Sequence, residues 1–153
     1  MPIKSFRGKL ADGTQNTISL HTNNGSTGYR IVKFNIMSAN PNAGTGEHIV
    51  KVFTIEQTSI TGLVDFSDQT LLAAATLKTN SSTGNPETIQ QVIFDNMEFN
   101  QDIYITGIDV NDSNAINYYI ELEAVKLDLN QNTMATLKDI RNIEAQWALQ
   151  SIT

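Results

Sequence analysis

The side chains able to do chemistry are few. The chain has two histidines, His21 and His48, and no cysteine. Thiol nucleophiles, disulfides and Cys-ligated zinc are therefore excluded. A Ser-His-Asp arrangement needs one of the two imidazoles, yet no serine sits in the Gly-x-Ser-x-Gly elbow that presents a nucleophile. His21 falls at a strand end beside a turn and His48 at a strand start. Both read as surface imidazoles.

Carboxylates come next. Glu121 and Glu123 project from the same face of one strand, about 7 Å apart along it. A glycosidase needs two carboxyls flanking the scissile bond. Such enzymes also use aromatic-lined clefts, and the one Trp of this chain lies near its C-terminus. The polar outer face of an antiparallel strand accounts for the pair better. Asp109-Val110-Asn111-Asp112-Ser113-Asn114 offers oxygen ligands at alternate positions, as a calcium loop does. Asn114 stands where glycine is needed, however, and Ile120 where the bidentate Glu belongs, so the stretch reads as an Asx-rich turn. Asp65 and Asp68 form a second, equally weak oxygen cluster. The glycines around Asn24-Gly25-Ser26-Thr27-Gly28 lack the lysine and the following helix of a phosphate loop. No catalytic, cofactor or metal residue is expected from these patterns, and no cofactor.

One small basic patch remains, formed by Lys4, Arg7 and Lys9. It is either a solvated strand face or a docking contact for an acidic partner. The chain as a whole carries a formal charge of −6 and a pI of about 4.7. That argues against general nucleic-acid binding, which needs excess Lys and Arg to neutralise phosphates. Charged residues make up 17% of the 153 residues. Asn, Gln, Ser and Thr supply roughly a third. No apolar run approaches the ~20 residues that span a bilayer. The N-terminal Met1-Pro2-Ile3-Lys4-Ser5-Phe6-Arg7 has no apolar signal-peptide core, so a soluble chain with no membrane partner is expected.

The elements that must position these residues are mostly strands. Short alternating segments are separated by Asn, Gly, Ser, Thr and Asp clusters. Strands are expected over 3–11, around Ile18 and Leu20, and over 29–37, 47–56, 89–94, 102–108 and 115–129. Lys51 interrupts one face of the 47–56 segment and suggests a partly exposed strand. Leu71-Leu72-Ala73-Ala74-Ala75 has helical propensity, yet turn-like residues bound it closely, and strand is favoured. In the last segment Ile116, Tyr118, Ile120 and Leu122 share a face, and the apolar phase then moves to Val125, Leu127 and Leu129. A β-bulge near Ala124 would produce that slip. After Asn132 or Thr133 the period changes. Leu137, Ile140, Ile143 and Trp147 recur at helical spacing on one face. The expected fold is all-β: an antiparallel β-sandwich over residues 1–129, of jelly-roll type, with one C-terminal α-helix in the extension 130–153. A lone helix of that length must dock on its own sandwich or on another chain.

Several phrases carry a resemblance. They are Ile3-Lys4-Ser5-Phe6-Arg7-Gly8, Leu20-His21-Thr22-Asn23-Asn24-Gly25, Thr27-Gly28-Tyr29-Arg30-Ile31, Val64-Asp65-Phe66-Ser67-Asp68, Val92-Ile93-Phe94-Asp95-Asn96, Phe99-Asn100-Gln101-Asp102-Ile103-Tyr104, Asn117-Tyr118-Tyr119-Ile120-Glu121-Leu122-Glu123 and Ala135-Thr136-Leu137-Lys138-Asp139-Ile140-Arg141. Together they resemble a family of small virion structural proteins of marine tailed bacteriophages, over most of the chain. The resemblance implies a phage-encoded structural protein and supplies no functional residues.

On this reading the protein is not an enzyme but a capsid decoration, or cement, protein of the phage particle. It is made in the host cytoplasm and contacts the major capsid protein or other virion proteins. A homo-oligomer, a trimer for instance, is expected. Apolar anchors ringed by polar contacts would carry the binding. The candidate interface residues are Phe6 and Arg7 at the N-terminus, and Leu137, Ile140, Ile143 and Trp147 at the C-terminus. The alternative is a tail or fibre component with a carbohydrate-binding β-sandwich. There Tyr104, Tyr118 and Tyr119 would stack on sugar rings if exposed. A small hydrolase using His21 or His48 is the third reading.

Overall fold

A computed structural model describes residues 2–22, 26–41, 45–80 and 87–127. Among them are eight strands: β1 (Ile3–Leu10), β2 (Thr14–Ile18), β3 (Thr27–Ser38), β4 (Gly46–Phe53), β5 (Leu71–Asn80), β6 (Glu87–Phe94), β7 (Ile103–Asp109) and β8 (Ile116–Lys126). They form two antiparallel sheets, one ordered β1-β8-β3 and the other β2-β7-β4-β5-β6. The chain is all-β in these residues. The helix expected after Asn132, with Leu137, Ile140, Ile143 and Trp147, lies outside the described residues.

Alternation builds the core. On β8, Ile116, Tyr118, Ile120, Leu122 and Ala124 are buried, and the residues between them are half-buried. Facing them, Val50 and Val52 of β4, Ala73, Ala75 and Leu77 of β5, and Ile103 and Ile105 of β7 join the same apolar cluster. One core thus serves both sheets. Close approach at its centre depends on Gly107 of β7. A Cβ there would lie 2.9 Å from Leu10 Cδ1 and 3.2 Å from Ile116 Cγ2. The turn between β1 and β2 uses Gly13 at φ +73°, a conformation that glycine adopts without steric cost.

Three expectations are corrected. The first concerns the bulge. Pairing on β8 runs in register through Ala124, and the shift lies opposite, between Ile31 and Lys33 of β3. The extra residue is Val32. It switches the buried phase of β3 from Tyr29 and Ile31 to Phe34 and Ile36. The second concerns β4, which is buried on both faces. The connection 54–70 covers its outer side, and Lys51 is only 7% exposed, with its Nζ donating to the Leu63 carbonyl at 2.7 Å. Burial pulls the Lys51 ammonium below its ordinary pKa, with Asp68 acting in the opposite direction. The third concerns the short run around Ile18 and Leu20. The strand occupies Thr14–Ile18, and Leu20 is buried beyond its end.

The Ala-rich segment forms strand β5, despite its helical propensity. It pairs with β4 on one side and β6 on the other, and Leu72, Ala73, Ala74 and Ala75 are all buried. Small side chains suit a strand covered on both faces, and tertiary context overrides local propensity there.

Candidate interaction surface

Each group singled out for chemistry has a place in this frame. His21 is exposed, and its Nδ1 lies 2.7 Å from Asp102 Oδ1. The same oxygen accepts the backbone N–H groups of Leu20 and His21. Burial raises the pKa of Asp102, but the His21 ring and the two amides outweigh it, so the carboxyl sits below its ordinary value. The arrangement ties the segment after β2 to the start of β7. Asp102→Ala strips one acceptor from three donors and is expected to cost about 1–3 kcal/mol. Because the folded pKa is depressed, this contribution is present above pH 3.8 and fades as pH falls through the folded pKa. Urea titrations of both proteins at neutral pH and at pH 3 check it.

His48 corrects the expectation of a surface imidazole. It is 1% exposed, and its Nδ1 has no hydrogen-bond partner among the described residues. Burial lowers its pKa and outweighs the pull of Asp109 and Asp12. The unfolded chain therefore takes up a proton near pH 6.5, while the folded chain resists until lower pH. The contribution of His48 to stability falls as pH drops below 6.5. His48→Leu is expected to flatten this part of the stability profile between about pH 7 and pH 5. An unchanged slope in denaturant titrations would contradict the assignment.

The oxygen clusters are occupied by the chain's own amides. Asp109 Oδ1 accepts the N–H groups of Glu47, Asn111 and Asp112, and its Oδ2 accepts that of Asn114. This is the Asx-rich turn read from the sequence. Burial raises the Asp109 pKa, and these four amides together bring it below the ordinary value. Asp65 and Asp68 each bind the amide and hydroxyl two residues on, at Ser67 and Thr70. Among the described residues no three His, Cys, Asp or Glu side chains are grouped to hold a metal ion.

Two surfaces remain. The first is the outer face of the β1-β8-β3 sheet. Strand register sets Arg7 opposite Tyr119, and Tyr119 opposite Asn35, in one row. Glu121 and Glu123 follow along β8. The Tyr119 hydroxyl donates to Glu121 at 2.7 Å, which holds its own pKa above the ordinary phenol value. Glu123 is paired with Arg30 at 2.9 Å. A shallow depression of about 710 Å³ crosses all three strands, with Arg7, Lys33, Asn35, Met37, Asn117 and Tyr119 around it. The basic patch divides here. Arg7 and Lys9 face outward with Tyr119, whereas Lys4 turns the other way and donates to the Tyr29 hydroxyl at 3.3 Å. Phe6 is half-buried against the core. Tyr118, one of the three candidate stacking tyrosines, is buried at 7% exposure.

The second surface is apolar. Phe66 of the 54–70 connection is 66% exposed, and Ile89, Ile93 and Phe94 of the edge strand β6 are 56%, 54% and 39% exposed. Phe66, Leu71, Ile93 and Phe94 line a trough of about 520 Å³. The same connection exposes Leu63 at 78%. Sequence reasoning did not find this strip. Its signal was present in Ile89 and Ile93, four residues apart on one strand face, but nothing local says that face is uncovered.

No protein-family model matches the chain, and no curated protein matches it.

Proposed function

We propose that the protein is a non-enzymatic structural component of a bacteriophage virion, a capsid decoration protein that stabilises the head by packing between neighbouring subunits. The observation that carries this reading is the exposed apolar trough that Phe66, Leu71, Ile93 and Phe94 line at the end of edge strand β6. A cluster of large apolar side chains at a sheet edge is a contact surface awaiting a partner. The strand order also supports it. Two facing sheets ordered 1-8-3 and 2-7-4-5-6 read as a sandwich of jelly-roll type, in which β6 has joined β5. Gln90 of β6 still reaches β3, donating to Asn35 Oδ1 at 2.6 Å and to the Ile36 carbonyl at 3.2 Å. Jelly rolls recur in viral capsid domains, but also in lectins and cupins, so the surface decides and the fold does not. The resemblance to virion proteins of marine tailed phages points the same way.

The strip is assigned to contact with a second copy of the chain. A stable contact buries about 800 Å² per partner. The strip would supply its apolar centre, and the Asn-, Thr- and Gln-rich surroundings its polar rim. Repetition over a symmetric shell then multiplies modest contacts into firm attachment. Quantitative mass spectrometry of purified particles tests the role. On the order of hundreds of copies per particle is the expected result for a shell component. A dozen or fewer would move the protein to the tail, and its absence from particles would overturn the reading.

A further inference from the structure

We propose that the depression on the outer face of the β1-β8-β3 sheet binds an acidic saccharide, a sugar that carries a carboxylate among its hydroxyls. Its size falls within the range of small-ligand sites. Its chemistry is set by strand register. Arg7, Tyr119 and Asn35 form a row across the three strands, with Asn117 and Met37 in the next row and Lys33 on the other side. The lining therefore gathers two cations on a chain of net charge −6. Neither cation is in an ion pair among the described residues, whose ion pairs are His21–Asp102 and Arg30–Glu123.

The carboxylates of this face stand outside the lining. Glu121 receives the Tyr119 hydroxyl and Glu123 is held by Arg30. Asn35 is oriented as well. Its Oδ1 accepts from Gln90 Nε2 at 2.6 Å and from the Ile36 amide at 2.9 Å, which leaves its Nδ2 as the group to offer a ligand. The site thus presents mainly donors: a guanidinium, an ammonium and an amide. Donors of that kind call for an anion rich in acceptor oxygens, and the planar guanidinium suits a carboxylate. The exposed Met37 provides apolar surface for the C–H face of a sugar ring, beside the Tyr119 ring, over which the Lys33 ammonium lies 5.6 Å from the centroid. Asn117, able to donate and accept, fits hydroxyls.

The test is a solution titration of the full chain, followed by amide chemical shifts. Short oligogalacturonates are compared with uncharged cello-oligosaccharides and with an oligoglutamate peptide. The expected result is binding of the oligogalacturonate alone, with shifts at residues 7, 33, 35, 117 and 119. The double variant Arg7→Gln, Lys33→Gln should weaken it about tenfold or more, a conservative figure for two charge-assisted contacts. Added salt should weaken binding to the wild type and act less on the variant. Both replaced side chains are exposed, so the thermal melt should not change. Equal binding of the uncharged sugar, tighter binding of the peptide, or no shifts at these residues at about 10 mM ligand would each overturn the proposal.

Discussion

Phe99→Ala is expected to destabilise the protein by about 3–5 kcal/mol, the range for removing a buried phenylalanine. Phe99 is 2% exposed and belongs to no strand ladder. It forms an isolated bridge with Tyr29, donating to its carbonyl at 2.9 Å and accepting its N–H at 2.7 Å. The two rings lie 6.5 Å apart between centroids, tilted at 32°. Tyr29 belongs to β3 of one sheet, and the connection that carries Phe99 joins β6 to β7 of the other. The residue therefore closes one end of the core across both sheets. Truncation leaves a cavity between elements held apart by strand pairing, which cannot collapse to fill it. For a chain of this size the loss corresponds to a drop of about 10 °C in melting temperature. Urea denaturation should show a lower midpoint with an unchanged slope. A loss under about 1 kcal/mol would mean that the bridge does not close the core.

How much of this was legible in the sequence depends on how local the cause is. β8 was legible because Ile116, Tyr118, Ile120 and Leu122 alternate without interruption, and burial on one face is all that such a pattern requires. The bulge left its trace in Tyr29, Ile31, Val32, Phe34 and Ile36, where two apolar residues are adjacent and the phase changes. The slip after Leu122 was more conspicuous, but β8 ends at Lys126, and Leu127 is buried beyond the strand. Phe99 stands alone between Glu98 and Asn100, with no period to join. Lys51 and His48 were misread for a related reason. Their burial comes from the 54–70 connection, which follows β4 and folds back over it, and from the Asp109 turn, which lies far along the chain; neither leaves a mark on the alternation of β4. The candidate surfaces were legible only in part. Arg7 was found, but its row with Tyr119 and Asn35 exists only once the register is known.

Phe66→Asp combined with Ile93→Asp is expected to abolish self-association while leaving the monomer folded. Both side chains are more than half exposed, so neither substitution removes much core contact. In an assembled state they would instead be buried against a neighbour. A carboxylate placed there loses its water with no cation to compensate. Two such charges at the centre of an apolar contact should weaken association at least a hundredfold, about 2.7 kcal/mol. Sedimentation velocity should show the wild type as a multiple of 16.9 kDa and the variant at that mass itself. Arg7→Gln, on the other sheet, should sediment as the wild type does. An oligomer that persists in the double Asp variant would place the contact elsewhere.

Hydrogen–deuterium exchange of the intact protein at low and high concentration tests most directly whether this strip is where the molecule meets its neighbours. Amides of residues 63–71 and 89–94 are expected to exchange more slowly as concentration rises, with β7 and β8 unaffected. Exchange that is independent of concentration throughout, in protein that is folded at both concentrations, would contradict it.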